Sequence, residues 1–506
     1  MRDIVLGNGI LIDGTGSAPA PGSVLVRAGR IEETGRFNVP AGAKVVDCSG
    51  LAIAPGFIDA HSHSDLQVLE GRTDKLVQGV TTEVVGNCGF SPYPAGEHAS
   101  ELRAFANGLF CGDDAWGWAT ARDYLADAAR SPAANVASLA GHGSLRISVA
   151  GHRLGPLPET GIAAMEKQLD EALSEGACGF STGLAYAPGS SAPFDEIERL
   201  CRVAARHGKI YTTHMRTYFS GLLDAVDEQL ELARRTGCRL QISHMQAAGA
   251  ANWTLQAPAL EKIEKARSQG IDVAFDCYPY LAGSTVLTLA LPQWVLEGGV
   301  EGMLARLADP AERARIAGET KAALQWRWSD IHISAVGSER NREAVGRNLA
   351  DLSEARGREP VDVMIDLLLE EKGAVNMLCF SQSEENLRQT LSHPLSVVIS
   401  DGFYVKGRPH PRLHGTFPLL LGEFCRKRRW LRIEEAIHKI TGGPAERFGL
   451  RDRGLLVRGC FADITVFDPS TIDSPASYDA PEQPPSGIRY VFRNGRLAWP
   501  RSYEAA

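Results

Sequence analysis

The sequence predicts an α/β chain built on a (β/α)8 TIM-type barrel, with a small β-sandwich domain assembled from both termini and an inserted helical subdomain. Three observations predict it. Through the middle of the 506-residue chain, short β-branched segments alternate with longer helical patterns, as parallel strands joined by helical crossovers do. Eight such segments can be counted, the strand number of a closed (β/α)8 barrel. Both ends of the chain are instead short β-rich runs separated by turns, and the length suits a large barrel plus an accessory module.

The elements follow in chain order. Ile4–Leu6, Ser23–Val26 and Lys44–Val46 are β-rich, with breaks at Asp13-Gly14, Ala28-Gly29 and Ser49-Gly50. The far end repeats the style in Ile464–Phe467 and Tyr490–Phe492, followed by Asn494-Gly495. These ends predict one domain over 1–54 and 443–506, with the barrel over 55–442. The barrel segments end at Asp59-Ala60-His61, Glu83-Val84-Val85, Ser138-Leu139-Ala140, Phe180-Ser181-Thr182, Tyr211-Thr212-Thr213, Gln241-Ile242-Ser243, Ala274-Phe275-Asp276 and Val397-Val398-Ile399. Ala374 to Ser381 makes a ninth candidate, so strand count alone does not establish closure. Residues 286–346 are Ala-, Glu- and Arg-rich and too long for a crossover, which predicts a helical insertion placed to cover the barrel mouth.

Composition excludes several classes. Hydrophobic residues make up 44% and charged residues 23%, an ordinary globular profile. The formal net charge of -8, with no basic stripe beyond Arg426–Arg429, argues against nucleic acid or an anionic membrane as partner. That short basic run reads as a solvated helix end. The ten cysteines are scattered without a Cys-x-x-Cys pair, as buried small hydrophobes in a reducing compartment would be. Gly7, Asn8 and Gly9 interrupt the N-terminal apolar stretch, no signal peptide is read there, and no apolar run reaches the ~20 residues of a membrane span. The expected location is the cytoplasm; oligomeric state is not legible.

The informative polar residues stand just after strand segments, where a barrel converges its side chains on the C-terminal face. His61 and His63 follow Gly56–Ala60, and alternate residues of an extended segment point the same way, so both imidazoles can reach one ion. Cys88 lies in Val84-Val85-Gly86-Asn87-Cys88-Gly89, where a lone cysteine is by itself more often inert packing. His214 and His244 each end a strand segment, thirty residues or about one βα unit apart. Asp401 closes the series in Val398-Ile399-Ser400-Asp401-Gly402. Together these positions predict a metal site. Amide hydrolysis at neutral pH needs a nucleophile stronger than water, and bound zinc lowers the pKa of its water toward ~7. A nearby carboxylate, here Asp401, can take that proton and return it to the leaving nitrogen. A thiolate ligand favours zinc over magnesium or calcium.

At these residues the chain resembles the amidohydrolase superfamily, and within it the N-acyl-D-amino-acid deacylases (D-aminoacylases). The resemblance spans nearly the whole chain and rests on PGFIDAHSHSD (55–65), VVGNCGFSP (84–92), GFSTGLAYAPG (179–189), THMR (213–216), QISHMQ (241–246), CYPYLAGST (277–285), SDG (400–402), HPRLHGTFP (410–418) and TGGPAERFGLRDRG (441–454). It implies one tightly bound Zn2+ on Cys88, His214 and His244, and a weaker second site using His61, His63 and Asp401, again with Cys88. It implies Asp401 as general base and acid, and a small-molecule amide substrate whose α-carboxylate is held by Arg412 with Tyr278 and Ser284. Asp65 is expected to orient a ligand from behind, while His142 and Arg146 are expected to support the barrel.

Three positions depart from the resemblance. Gln246 replaces a lysine and can hydrogen-bond but supplies no Coulombic attraction; Leu419 stands for a second arginine; His414 stands for an aromatic residue. These leave a less charged amide or dipeptide-like substrate open beside N-acyl-D-amino acids. A cyclic amide, as in dihydroorotases and hydantoinases, is disfavoured because Gly179–Leu184 carries no lysine to be carboxylated. A deaminase reading lacks its His-Glu pairing, and a catalytically silent metal-binding scaffold is the remote alternative.

Overall fold

The computed structural model describes residues 2–110, 116–131 and 133–500. Eight strands form the barrel wall: β1 (Phe57–Asp59), β2 (Val80–Val85), β3 (Asn135–Gly141), β4 (Gly179–Gly183), β5 (Ile210–His214), β6 (Arg239–Ile242), β7 (Val273–Cys277) and β8 (Ser396–Val398). Their order runs β8-β7-β6-β5-β4-β3-β2-β1 and every pair is parallel. All eight are the segments expected from the sequence. Closure is made just past the ends of β1 and β8. There the Asp401 amide donates to the His61 carbonyl at 2.9 Å and the His63 amide to the Gly402 carbonyl at 3.0 Å. The seam of the barrel therefore runs through three of the predicted site residues.

A buried charge cluster braces that seam. Lys75, 3% exposed, donates from Nζ to Asp59 Oδ2 and Ser62 Oγ, both at 2.6 Å, and lies 3.0 Å from Glu83 Oε2. Asp59 in turn accepts from the amide and hydroxyl of Ser400. Burial works to lower the Lys75 pKa, but Asp59 and Glu83 outweigh it and hold the amine charged. Lys75→Met strands two carboxylates in a dry interior and is expected to cost about 3–5 kcal/mol of stability in urea unfolding. A loss below about 1 kcal/mol, the level of a surface pair, would show that the cluster does not brace the seam.

The two termini share one sheet. Ile464–Phe467 pairs antiparallel with Ala52–Pro55, which joins Ile4–Leu11 and then Ala20–Arg27 and Arg30–Gly35. Ile488–Arg493 and Arg496–Trp499 complete the other edge, and Lys44–Asp47 pairs with Ile4–Leu11. Alternating inward residues such as Leu6, Val24, Val26, Ile464 and Val466 form a core of their own.

The inserted region differs from the helical subdomain expected over 286–346. Four helices, Gly299–Ala308, Pro310–Ala323, Leu349–Arg356 and Pro360–Glu370, pack on a three-stranded antiparallel sheet of Ala282–Val286, Val375–Phe380 and Ile331–Val336. The sheet spans 282–380, and the ninth strand candidate is its central strand rather than a barrel strand. The helix starts are local: Asp309 accepts from the amides of Ala311 and Glu312 at 2.9 Å each, with Pro310 at the first turn. Strand partners are not local, and an apolar run such as Val375–Phe380 fits a buried strand in either sheet.

The nine cysteines among the described residues are free and buried; Cys111 lies outside those residues. The basic run is tied to acids rather than merely solvated, with Arg426 and Lys427 on Asp473 and Arg428 on Glu423 and Glu384. Among the described residues no helix is long and apolar enough to cross a membrane.

Candidate active site

The strand ends deliver their side chains to one point. Cys88, His244 and Asp401 carry φ of 53°, 35° and 51°, a left-handed conformation that is uncommon for residues other than glycine. Each stands just past its strand, where this turn leaves the side chain with the other site groups. Such conformations cost about 1–3 kcal/mol apiece and persist where the surroundings over-determine them. Gly183 shows how tightly this is done: a Cβ there would sit 2.0 Å from the Cys88 carbonyl oxygen. Gly183→Ala must therefore push the Cys88 turn outward, and a zinc titration is expected to show affinity reduced about 10- to 100-fold in a folded protein. Unchanged affinity would mean that β4 does not position Cys88.

Cys88 Sγ lies 3.3 Å from His61 Nε2, 3.7 Å from His244 Nε2 and 3.9 Å from His214 Nδ1. His214 Nδ1 and His244 Nε2 are 3.0 Å apart. On the other side of the cluster, Asp401 Oδ1 is 3.3 Å from both His61 Nε2 and His63 Nε2. Two overlapping groups thus have donor atoms close enough to hold an ion, His61 with Cys88 and His244, and His61 with His63 and Asp401; His214 adjoins the first.

The protonation states of His214 and His244 suit a metal. Burial pulls His214 down to about 3 and His244 well below the usual imidazole range, so both are neutral, the form that ligates. Burial also lowers His63, whereas the pull of Cys88 and Asp401 outweighs burial at His61. Burial raises the Cys88 thiol against the opposing effect of His61, and a cation would be needed to hold it as thiolate. Burial would raise Asp401, but Arg412 and His61 overcome it and keep the carboxylate ionised. Thiolate, imidazole and carboxylate donors in a tight buried group suit a divalent transition metal.

Arg412, 1% exposed, places Nη1 2.9 Å from Asp401 Oδ2 and donates from Nη2 to the Ser284 carbonyl at 3.2 Å. Nη1 meets Asp401 as an ion pair without hydrogen-bond alignment, and Nε has no partner, which is costly for a buried donor. The guanidinium lies 4.8 Å from the Tyr278 ring centre. Gln246 donates to the Tyr278 hydroxyl at 3.2 Å, and burial pushes that phenol up to about 12, so it stays a donor. Gln246, Tyr278 and Ser284 line a cavity of about 270 Å3 that also exposes Cys88, His214, His244 and Asp401. Its outer wall comes from the insertion, through Leu291, Leu324 and Trp326, as the expected cover over the mouth.

Other expected residues lie elsewhere. Asp65 touches no histidine; its Oδ1 accepts from the Gly86 amide at 2.8 Å and braces the turn leading to Cys88. His142 and Arg146 pair with Glu196 at 2.8 and 3.1 Å, a buried support beside the barrel. Leu419 packs among apolar side chains and does not line the cavity, so it takes no charge away from the cavity wall. Asp276 has no role assigned from the sequence, yet its Oδ1 accepts from the His244 amide at 2.6 Å and lies 3.6 Å from His61 Nδ1. Its signal was a carboxylate in Val273–Cys277, the strand before the insertion.

Residues 44–498 match the model of an amidohydrolase family. This chain belongs to that family. The amidohydrolase is 36% identical over 502 residues to an N-acyl-D-glutamate deacylase of Alcaligenes xylosoxydans xylosoxydans, covering 99% of this chain and 94% of the relative. It is 35% identical to a D-aminoacylase of the same organism, over 98% of this chain and 94% of the relative. Among solved structures it resembles the N-acyl-D-glutamate deacylase of Bordetella bronchiseptica, complexed with zinc and a phosphonate mimic of the tetrahedral intermediate. That match has a TM-score of 0.85 at 34% identity and covers 99% of this chain and 97% of the other.

Proposed function

We propose that this amidohydrolase removes the acyl group from an N-acyl-D-amino acid with an apolar side chain. The observation that carries the reading is Arg412: a buried guanidinium that ion-pairs Asp401 through Nη1, keeps Nε without a partner and touches the cavity-lining Tyr278 and Ser284 suits a carboxylate arriving with the substrate. Tyr278, Gln246 and Ser284 would complete the carboxylate's seat. A linear N-acyl amino acid presents that anion next to the scissile amide; the named relatives act on such compounds, and β4 bears no lysine of the cyclic-amide kind.

Cys88, His214 and His244 would hold one zinc ion tightly, with His61, His63 and Asp401 offering a weaker second position. A cation there supplies Lewis acidity, polarising the carbonyl and favouring ionisation of water near neutral pH. Asp401 takes the proton of the attacking water on a carboxylate oxygen and returns it to the leaving nitrogen. Arg412 and Tyr278 fix the amino-acid half, so that the carbonyl meets the water in one orientation. The division into 1–54 with 443–506 and 55–442 accompanies this reading, the terminal sheet lying outside the chemistry.

The apolar side chain follows from the cavity wall. Phe219, Leu291, Leu324 and Trp326 face it, and its one arginine, Arg216, is engaged by Glu228 and the carbonyls of Ser190 and Ala192. A second carboxylate would be buried there without a partner. A panel of N-acetyl leucine, phenylalanine, glutamate and aspartate in both enantiomers is the test. Expected is hydrolysis of D-leucine and D-phenylalanine derivatives, with the acidic ones lower by about 100-fold or more in kcat/KM. Preference for L-compounds, or for uncharged amides, would overturn the substrate; preference for D-glutamate would overturn the side-chain class alone.

A further inference from the structure

We infer that this enzyme has an acyl-chain subsite: the apolar pocket behind Tyr186 and Leu289 takes the hydrocarbon tail of substrates acylated with more than acetate. The inference rests on the deacylase reading and extends it to the other half of the substrate. The pocket, about 100 Å3, is walled by Phe90, Phe105, Val286, Leu296, Val300 and Met303. Its titratable members are His152, which burial keeps below the usual imidazole range, and Tyr186, whose phenol burial pushes up. Nothing there offers a charge to an anion, and the surface suits methylenes.

Continuity with the reaction centre ties the pocket to the substrate. Ala185, Tyr186 and Leu289 line both this pocket and the main cavity, so one layer of side chains separates them. The Tyr186 ring lies 4.7 Å from the His214 ring on one side and 5.4 Å from Phe90 on the other. Its hydroxyl is held 3.0 Å from Thr285 Oγ1.

Direction points the same way. The two substituents of a trigonal carbonyl carbon diverge from each other in one plane. The amine half is drawn toward Tyr278 and Arg412, beyond β7, so the acyl half extends across the barrel. The strand opposite β7 in the ring is β3. Phe90, after β2, and Ala185 to Pro188, after β4, flank β3 and form the barrel side of the pocket. An acyl tail leaving the carbonyl on that side meets Tyr186 and Leu289, the layer that separates cavity from pocket, and enters the pocket where these side chains part.

The experiment is a chain-length series on the zinc-loaded enzyme with N-acetyl-, N-butanoyl-, N-hexanoyl- and N-octanoyl-D-leucine. Expected is a rise in kcat/KM of about three- to fourfold per methylene until the pocket is full. Val300→Trp and Ala104→Trp fill the pocket without touching the main cavity. Each is expected to keep N-acetyl hydrolysis within about twofold while reducing N-hexanoyl hydrolysis about tenfold or more. Leu289→Ala thins the wall and is expected to raise the hexanoyl-to-acetyl ratio. A flat or falling series in the unmodified enzyme, or tryptophan variants that lose both substrates equally, would overturn the subsite while leaving the deacylase reading standing. Failure to hydrolyse any N-acyl-D-leucine would overturn the deacylase reading and the subsite with it.

Discussion

Asp401→Asn is expected to lower kcat about 1,000-fold, with the zinc content expected from the proposed ligand set unchanged from that of the unmodified protein. The substitution is close to isosteric, and asparagine tolerates the left-handed backbone that Asp401 adopts at φ 51°. It keeps an acceptor near Arg412 but removes the ionised oxygen that moves the proton. The proposed ligands Cys88, His214 and His244 are untouched, so a zinc ion held by them would remain. The paired readout is single-turnover hydrolysis and zinc content of the purified protein. Unchanged hydrolysis would remove Asp401 from the mechanism. Parallel loss of zinc and activity would assign it to holding the metal rather than to proton transfer.

The second large effect is expected from Cys88→Ala: loss of tight zinc and of activity together, beyond about 10,000-fold in kcat/KM. Cys88 supplies the one thiolate donor of the cluster, at 3.3 Å from His61 Nε2, the imidazole shared by both donor groups, and 3.7 Å from His244 Nε2. Removing it leaves neutral imidazoles without the anionic donor that makes a zinc site tight. Cys88→Ser is expected to fall between, because the hydroxyl has the position but is a harder and less acidic ligand. Zinc per chain after dialysis against a chelator is the measurement. An alanine variant that retained one tightly bound zinc would sink the site as drawn, whatever its activity.

The legibility of the site varied with how local its cause was. His61, His63, His214, His244 and Asp401 were readable because each closes a β-branched run, and barrel geometry turns that single position into convergence. Cys88 by itself looked like packing; its neighbours and the resemblance promoted it. Asp276 carried the same strand-end signal but was taken only as a boundary, since one sequence does not tell a carboxylate that bonds the His244 amide from one that faces elsewhere. The brace formed by Lys75, Asp59 and Glu83 was beyond reach, because it joins β1, the turn after it and β2 through side chains that look like ordinary surface charges in sequence.

The sequence by itself determined the barrel, the sharing of one sheet by the two ends, the set of groups that meet at the barrel mouth and the family. Those depend on periodicity, strand-end position and motif, all of which are written along the chain. Only the tertiary structure decided that the insertion carries its own antiparallel sheet, that the closing seam passes through His61, His63 and Asp401, and that Leu419 lies away from the cavity. It also decided that Arg412 pairs with Asp401 and keeps Nε without a partner, and that a second apolar pocket lies behind Tyr186. The physical reason is common to all five. Strand partners, hydrogen-bond satisfaction and cavity walls are set by residues far apart in the chain, and no local pattern encodes which of them will touch.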